Sequence, residues 1–120
     1  PVRVECGVSS MSDLMAWADL AVSAGGTTCW ELAFMGLPNM ILVLAENQRG
    51  IAQALDKAGV SRDLGWAESL GGDTLRAGIL SLAHDPASRA SMSEKGRALV
   101  DGEGTRRVIE AIEGLLSCNN

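Results

Sequence analysis

Short apolar segments alternate with segments of helical period along much of the chain. Apolar runs at residues 2–6, 20–23 and 40–44 predict three strands. The last run, "MILVL", has no polar position, which is typical of a strand buried on both faces. Strands and helices that alternate in this way predict an α/β fold, with an open parallel sheet flanked by helices.

The segments between these strands carry start and stop signals of helices. The stretch "SSMSDLMAWAD" begins with Ser and Asp and repeats apolar residues at helical spacing. A second helix is predicted at residues 29–35, ended by Gly36 and Pro38. The polar "AENQRG" is predicted to be a loop, "IAQALDKAG" a helix, and "VSRDLG" a weak edge strand. The remainder is predicted to be helical, with Pro86 at a first helical position.

Composition indicates one compact domain. The chain has 120 residues, of which 47% are apolar and 21% charged, enough for a single hydrophobic core. Its net charge of −5 argues against binding to nucleic acid or to an anionic membrane, but leaves a local site for a small anion open. Cys6, Cys29 and Cys118 lack the spacing of a zinc site or redox motif, and are expected to be reduced and mostly structural.

The sequence lacks a run of about 18 apolar residues and the order of a signal peptide, which favours a cytosolic protein without stable membrane insertion. The chain opens on Pro1 and enters the first predicted strand within a few residues. We therefore expect residues 1–120 to be a single domain cut from a longer protein.

Three loops follow the predicted strands, after Cys6, Ser23 and Leu44. In an open parallel sheet such loops meet at the carboxyl ends of the strands, where ligands bind. In the middle loop, Gly25 and Gly26 permit close approach of the backbone to a ligand and φ values that side chains forbid. The helix that follows would offer free N–H groups to an anion. A tight turn without a ligand is the alternative, and Arg49 is the nearest candidate cation.

Glu31 has two interpretations. Thr28 and Glu31 match a capping box, in which Thr at the N-cap and Glu at N3 satisfy the first N–H groups of a helix. Alternatively, a carboxylate on this first turn accepts hydrogen bonds from the two hydroxyls of a ribose. Asn47 and Gln48 are either sugar contacts or a solvated loop, and His84 is interpreted as stabilising a helix end. No catalytic constellation can be assembled.

The ordered set "SMSDLMAWADLAVSAGGTTCWELAFMGLP", "ENQ" and "KAG" resembles the C-terminal nucleotide-binding domain of GT-B proteins. The most similar members are the UDP-sugar hydrolase of pseudaminic acid biosynthesis and the spore coat polysaccharide proteins, followed by the peptidoglycan UDP-N-acetylglucosamine transferase. The resemblance implies a Rossmann-like sheet that forms the C-terminal half of a GT-B fold, with UDP or a UDP-sugar as ligand, no metal, and an N-terminal domain as partner.

The resemblance also implies roles for individual residues. Backbone near Gly7 and Val8 would pair with the uracil edge, and Met11 would lie against the base. Glu31 would hold the ribose hydroxyls. The diphosphate would lie along five residues of the middle loop, namely Ala24, Gly25, Gly26, Thr27 and Thr28. The sugar or the phosphates would lie near Asn47 and Gln48 in the third loop. Ala24 replaces a Ser that is frequent in the transferases.

The expected function is therefore the UDP-binding half of a nucleotide-sugar hydrolase that cleaves UDP from a diacetamido-trideoxy sugar. The first alternative is a UDP-sugar-dependent glycosyltransferase domain, and the second, from another class, is a non-catalytic domain that contacts a protein partner. In either enzyme the catalytic residue lies outside this chain, so the isolated domain is expected to be inactive.

Overall fold

The computed structural model describes residues 1–118. Its regular elements comprise six α-helices, three strands and one short 3₁₀ turn at Ala67–Ser69. In chain order they are α1 (Met11–Trp17), β1 (Ala21–Ala24), α2 (Thr28–Met35), β2 (Asn39–Val43), α3 (Glu46–Lys57), β3 (Ser61–Trp66), α4 (Gly72–Ala83), α5 (Pro86–Leu99) and α6 (Gly104–Cys118).

The three strands form one parallel sheet in the order β1-β2-β3. Ala24 lies opposite Leu42, so the carboxyl ends of β1 and β2 are neighbours. The central strand β2 is almost wholly buried, as its apolar run predicted. One face of the sheet packs around Ile41 and Val43 with α2 and α3, and Met40 packs on the other with Leu82 and Met92. This confirms the predicted α/β sheet flanked by helices.

The predicted strand at residues 2–6 is wrong. The chain there is irregular and exposed, and Val2 and Val4 are 93% and 80% accessible to solvent. A parallel strand needs a neighbour to accept and donate its hydrogen bonds, and β1 pairs only with β2 among residues 1–118. The apolar run has no such neighbour here. The edge strand predicted in "VSRDLG" is confirmed as β3.

The segment "AENQRG" is also different from the prediction, because α3 already begins at Glu46. The side chain of Gln48 explains the early start. Its Oε1 accepts a hydrogen bond of 3.0 Å from the N–H of Leu44, which lies just before the helix. In a capping box the side chain three residues after the N-cap bonds the N–H of the N-cap itself, and here Gln48 reaches one residue further back. The first turn is polar because it faces solvent.

Asp85 caps the helix α5, and its effect on stability should depend on pH. Its side chain accepts from the N–H of Ser88 at 3.0 Å and from the Ser88 hydroxyl. These hydrogen bonds lower the pKa of the Asp85 carboxyl. A lowered pKa in the folded state stabilises the fold above the unfolded-state pKa, and the stabilisation is lost as pH falls through the folded-state pKa.

We therefore expect Asp85→Ala to lower the melting temperature at about pH 7, and the difference from wild type to shrink towards about pH 2. Thermal unfolding followed by circular dichroism across this range measures the difference. A gap between the two proteins that stays constant with pH would contradict a role for the charged carboxyl.

Within residues 1–118, no helix has the length and apolar character needed to cross a membrane. His84 lies at the C-cap of α4, where its N–H donates to the carbonyl of Leu80 at 3.0 Å. The predicted position of His84 at a helix end is confirmed.

Candidate functional site

The glycine pair joins β1 to α2 and lies against the start of α3. Gly25 is buried, and a Cβ built on it would come within 2.9 Å of the Gln48 Cβ and 3.1 Å of the Gln48 carbonyl oxygen. The absence of a side chain at Gly25 therefore lets two helix starts approach each other. The loops after β1 and β2 are brought together at the carboxyl end of the sheet, as predicted.

Gly26 lies in a different environment. A Cβ built on it would find nothing within 4 Å, so it borders open space. Neither glycine adopts a positive φ, so the freedom of φ that glycine permits at this pair is not used here. Gly25 allows close packing against α3, whereas Gly26 leaves open space beside the loop.

The first turn of α2 begins earlier than predicted. Thr27 already has helical angles, φ −61° and ψ −25°, and the N–H of Cys29 donates to the carbonyl of Gly26 at 3.1 Å. Within residues 1–118, the N–H groups of Gly26, Thr27 and Thr28 have no acceptor. Free N–H groups at a helix N-terminus are donors for an anion.

The capping box is wrong. Thr28 is the first residue of α2 rather than its N-cap, and the side chain of Thr27, which is the N-cap, makes no capping hydrogen bond. Glu31 thereby moves from the third to the fourth helical position, out of reach of the box. Among the described residues its exposed carboxylate has no hydrogen-bond or ion-pair partner. The cap that competed with ligand binding is absent.

A missing cap has a measurable consequence at Thr28. Thr28→Ala should change the free energy of unfolding by less than about 0.5 kcal/mol, because an exposed side chain without a partner is lost. A Thr that caps a helix would cost about 1 kcal/mol when replaced by Ala. Urea unfolding measures the difference, and a loss near the larger value would restore the capping box.

The first turn of α3 provides a second set of N–H donors at the carboxyl end of the sheet. Its N-cap, Ala45, provides no side-chain cap, and Glu46 and Asn47 follow it on the exposed side. The Gln48 oxygen is occupied by the N–H of Leu44, which leaves its amide NH₂ as the group that can contact a ligand. Arg49 lies 3.8 Å from the Glu46 carboxylate, so the predicted cation already has an acidic neighbour.

Glu31 and Met11 border two pockets between α1 and α2. Glu31 lines a pocket of about 400 Å³ whose walls include Ser12, Trp30 and Phe34. Met11 lines a neighbouring pocket of about 220 Å³ together with Ser23 and Thr28. The start of α1 is therefore close to the glycine loop. Gly7 and Val8, by contrast, lie on the exposed irregular segment, where a Cβ on Gly7 would meet nothing within 4 Å.

Comparison with known proteins identifies the family of this fold. Residues 8–109 match the glycosyltransferase family 28 C-terminal domain. The chain belongs to this family. The sequence predicted a resemblance to the C-terminal nucleotide-binding domain of GT-B proteins, and this match confirms that resemblance.

Individual proteins similar to this family 28 domain support the same family. The domain is 33% identical over 107 residues to the spore coat polysaccharide biosynthesis protein SpsG of Bacillus subtilis, covering 89% of the chain and 32% of SpsG. It is 34% identical over 109 residues to the UDP-N-acetylglucosamine--N-acetylmuramyl-(pentapeptide) pyrophosphoryl-undecaprenol N-acetylglucosamine transferase of Pseudomonas paraeruginosa, covering 87% of the chain and 30% of the transferase.

The fold of the family 28 domain is also that of a solved relative. The crystal structure of the glycotransferase of kitacinnamycin superposes with a TM-score of 0.70 at 29% identity, covering 85% of this chain and 26% of that one. The chain thus spans about a third or less of the length of the relatives it matches. The family and the enzymes named here favour the glycosyltransferase alternative over the hydrolase that we expected first.

Sequence reasoning missed the role of Cys29 behind the loop. Its thiol is buried and donates to the carbonyl of Ala24 at 3.3 Å, and burial raises the pKa of this thiol. The expectation of a structural cysteine is confirmed here, whereas Cys6 and Cys118 are exposed and add nothing to the core. A Cys on the first turn of the helix that follows Gly-Gly is the sequence signal that could have indicated this contact.

Proposed function

We propose that this domain binds the UDP-sugar donor of a glycosyltransferase and forms one half of its active site. The observation that carries the proposal is the pair of helix starts packed together through Gly25, with acceptor-free N–H groups at Gly26, Thr27 and Thr28. The family and the named transferases support a nucleotide-sugar as the ligand.

The diphosphate would lie in the open space beside Gly26. There the N–H groups of α2 and the first turn of α3 would donate to its oxygens, and the positive ends of both helix dipoles would stabilise its charge. Ala24 would contact the diphosphate through its backbone alone, and Asn47 and the Gln48 amide would reach the sugar or phosphates.

Glu31 would accept hydrogen bonds from the two ribose hydroxyls, since its carboxylate is exposed and without a partner. Met11 would lie against the base, because it borders the pocket that also includes Thr28. The backbone of Gly7 and Val8 would pair with the uracil edge, which requires this exposed segment to move onto the ligand.

In the transfer reaction, an acceptor hydroxyl attacks the anomeric carbon and the bond from that carbon to the UDP oxygen breaks. Negative charge then grows on the departing diphosphate, where the same N–H groups stabilise it. The group that removes the proton from the acceptor would lie on a second domain.

Transfer and hydrolysis differ in what the released sugar joins. We would incubate the full-length gene product with UDP-N-acetylglucosamine, with and without a lipid and glycan extract of its host, and measure UDP and labelled sugar. Transfer predicts UDP release that depends on the extract, with label in the extract. Release of UDP and free sugar in buffer alone would overturn transfer in favour of hydrolysis.

A further inference from the structure

Cys29 connects the two ends of the loop that joins β1 to α2. This loop runs from Ala24, the last residue of β1, to Thr28, the first residue of α2. The Cys29 thiol donates a hydrogen bond to the Ala24 carbonyl at 3.3 Å, and the backbone N–H of Cys29 donates to the Gly26 carbonyl at 3.1 Å. One residue of α2 therefore holds two carbonyl groups of the loop.

These two hydrogen bonds determine which backbone groups the loop offers to a ligand. A trans peptide group is planar, so its carbonyl oxygen and its N–H point in opposite directions. The carbonyls of Ala24 and Gly26 point towards Cys29. The N–H groups of the same two peptide units, on Gly25 and Thr27, therefore point away from it. A carbonyl oxygen turned towards a diphosphate would repel it, whereas an N–H group donates to it.

The position of Cys29 is itself fixed by the core. Its side chain is fully buried and belongs to the apolar cluster that includes Ile41 and Val43 of the central strand. The Ser23 hydroxyl donates to the same Ala24 carbonyl at 3.3 Å, so this carbonyl has a donor from the strand as well as one from the helix. Burial raises the pKa of the Cys29 thiol, which keeps the thiol protonated, and hence a donor, at neutral pH.

We infer that Cys29 is a positioning residue for the diphosphate: its thiol holds the Ala24 carbonyl away from the ligand and so sets the direction of the N–H groups that would bind it. This rests on the proposed function. The alternative is that Cys29 only fills space, as a small apolar residue does in many cores. The two roles differ in what the thiol hydrogen contributes, so two variants that differ only in a donor separate them.

Cys29→Ala and Cys29→Ser form such a pair. Both remove the sulfur and leave a side chain of similar size, but only Ser carries a hydroxyl that can donate to Ala24. Titration calorimetry with UDP should show an affinity about fivefold weaker for Cys29→Ala, the factor expected for one lost hydrogen bond, and within about twofold of wild type for Cys29→Ser. Urea unfolding should show that both variants are less stable than wild type, because both lose buried volume.

Val60→Ala is the matched control for lost volume. Val60 is buried in the same apolar cluster as Cys29, but it lies at the amino end of the sheet, immediately before β3. Val60→Ala should also lower the free energy of unfolding, because it removes buried apolar volume, and it should leave the UDP affinity unchanged.

The Ala24 carbonyl gives a readout that does not depend on UDP. In the free chain, its carbon-13 shift should change in Cys29→Ala and be largely restored in Cys29→Ser. An unchanged Ala24 shift in Cys29→Ala would overturn the inference. So would equal UDP affinities in the two Cys29 variants, or an equal loss of affinity in Val60→Ala. A wild-type chain that binds no UDP would refute the proposed function instead, and the Ala24 shift would then decide whether the thiol holds the loop.

Discussion

Gly25→Val is expected to destabilise the domain by about 3 kcal/mol, at the upper end of the cost of overpacking a core. The new side chain would start 2.9 Å from the Gln48 Cβ, 3.1 Å from the Gln48 carbonyl oxygen and 3.3 Å from Ile41 Cγ2. Two of these neighbours belong to the packed start of α3 and the third to the central strand. The helix start would have to move away from the loop, and the measurement is urea unfolding.

Gly26→Ala is the matched control for Gly25→Val. Its new Cβ would extend into open space, and its φ is not positive, so the free energy of unfolding should stay the same or rise by up to about 1 kcal/mol. Equal losses of stability in the two variants would contradict the close packing of Gly25 on α3 as the reason for a glycine there.

Glu31→Ala is expected to weaken UDP binding by about 2 kcal/mol, or roughly 30-fold, through loss of a charged acceptor for the ribose. The same change should alter the free energy of unfolding by less than about 1 kcal/mol, because the carboxylate caps nothing in this structure. Calorimetric titration and urea unfolding on the same preparation separate the two effects.

Glu94→Ala is a suitable control for that experiment, since it removes an exposed carboxylate from the middle of α5, away from the glycine loop. It should leave UDP affinity unchanged. If Glu31→Ala bound UDP as wild type does, Glu31 would have no role in ribose recognition.

The strands show how much of the fold the local sequence predicts. The run at residues 40–44 has no polar position, and such a run is stable only with both faces covered, which is how β2 lies. The run at residues 2–6 alternates apolar and charged positions, a pattern typical of a half-exposed strand, but it lacks a neighbouring strand among the described residues. Strand formation depends on partners far along the chain, and local pattern carries no information about whether they are present.

The candidate site, like the strands, could be predicted from the sequence only in part. Two of the three loops could be placed side by side from the sequence, because parallel strands put their carboxyl ends together. The helix starts could not be placed, since Thr27 enters helical angles without a side-chain cap and Glu46 begins a helix within a polar stretch. The sequence identified Gly25 as a loop glycine. The close contact with Gln48 that requires a glycine at this position forms only in the folded chain.

The most direct test of the account is amide NMR of the 120-residue chain during titration with UDP to about 5 mM, a range that detects even weak binding. The account predicts shifts concentrated at Gly25 to Glu31 and at Glu46 to Gln48, with further shifts at Gly7, Val8 and Met11 where the base would bind, and with α5 and α6 unaffected. An unchanged spectrum at the highest UDP concentration, or shifts confined to other parts of the chain, would contradict a nucleotide site at the two helix starts.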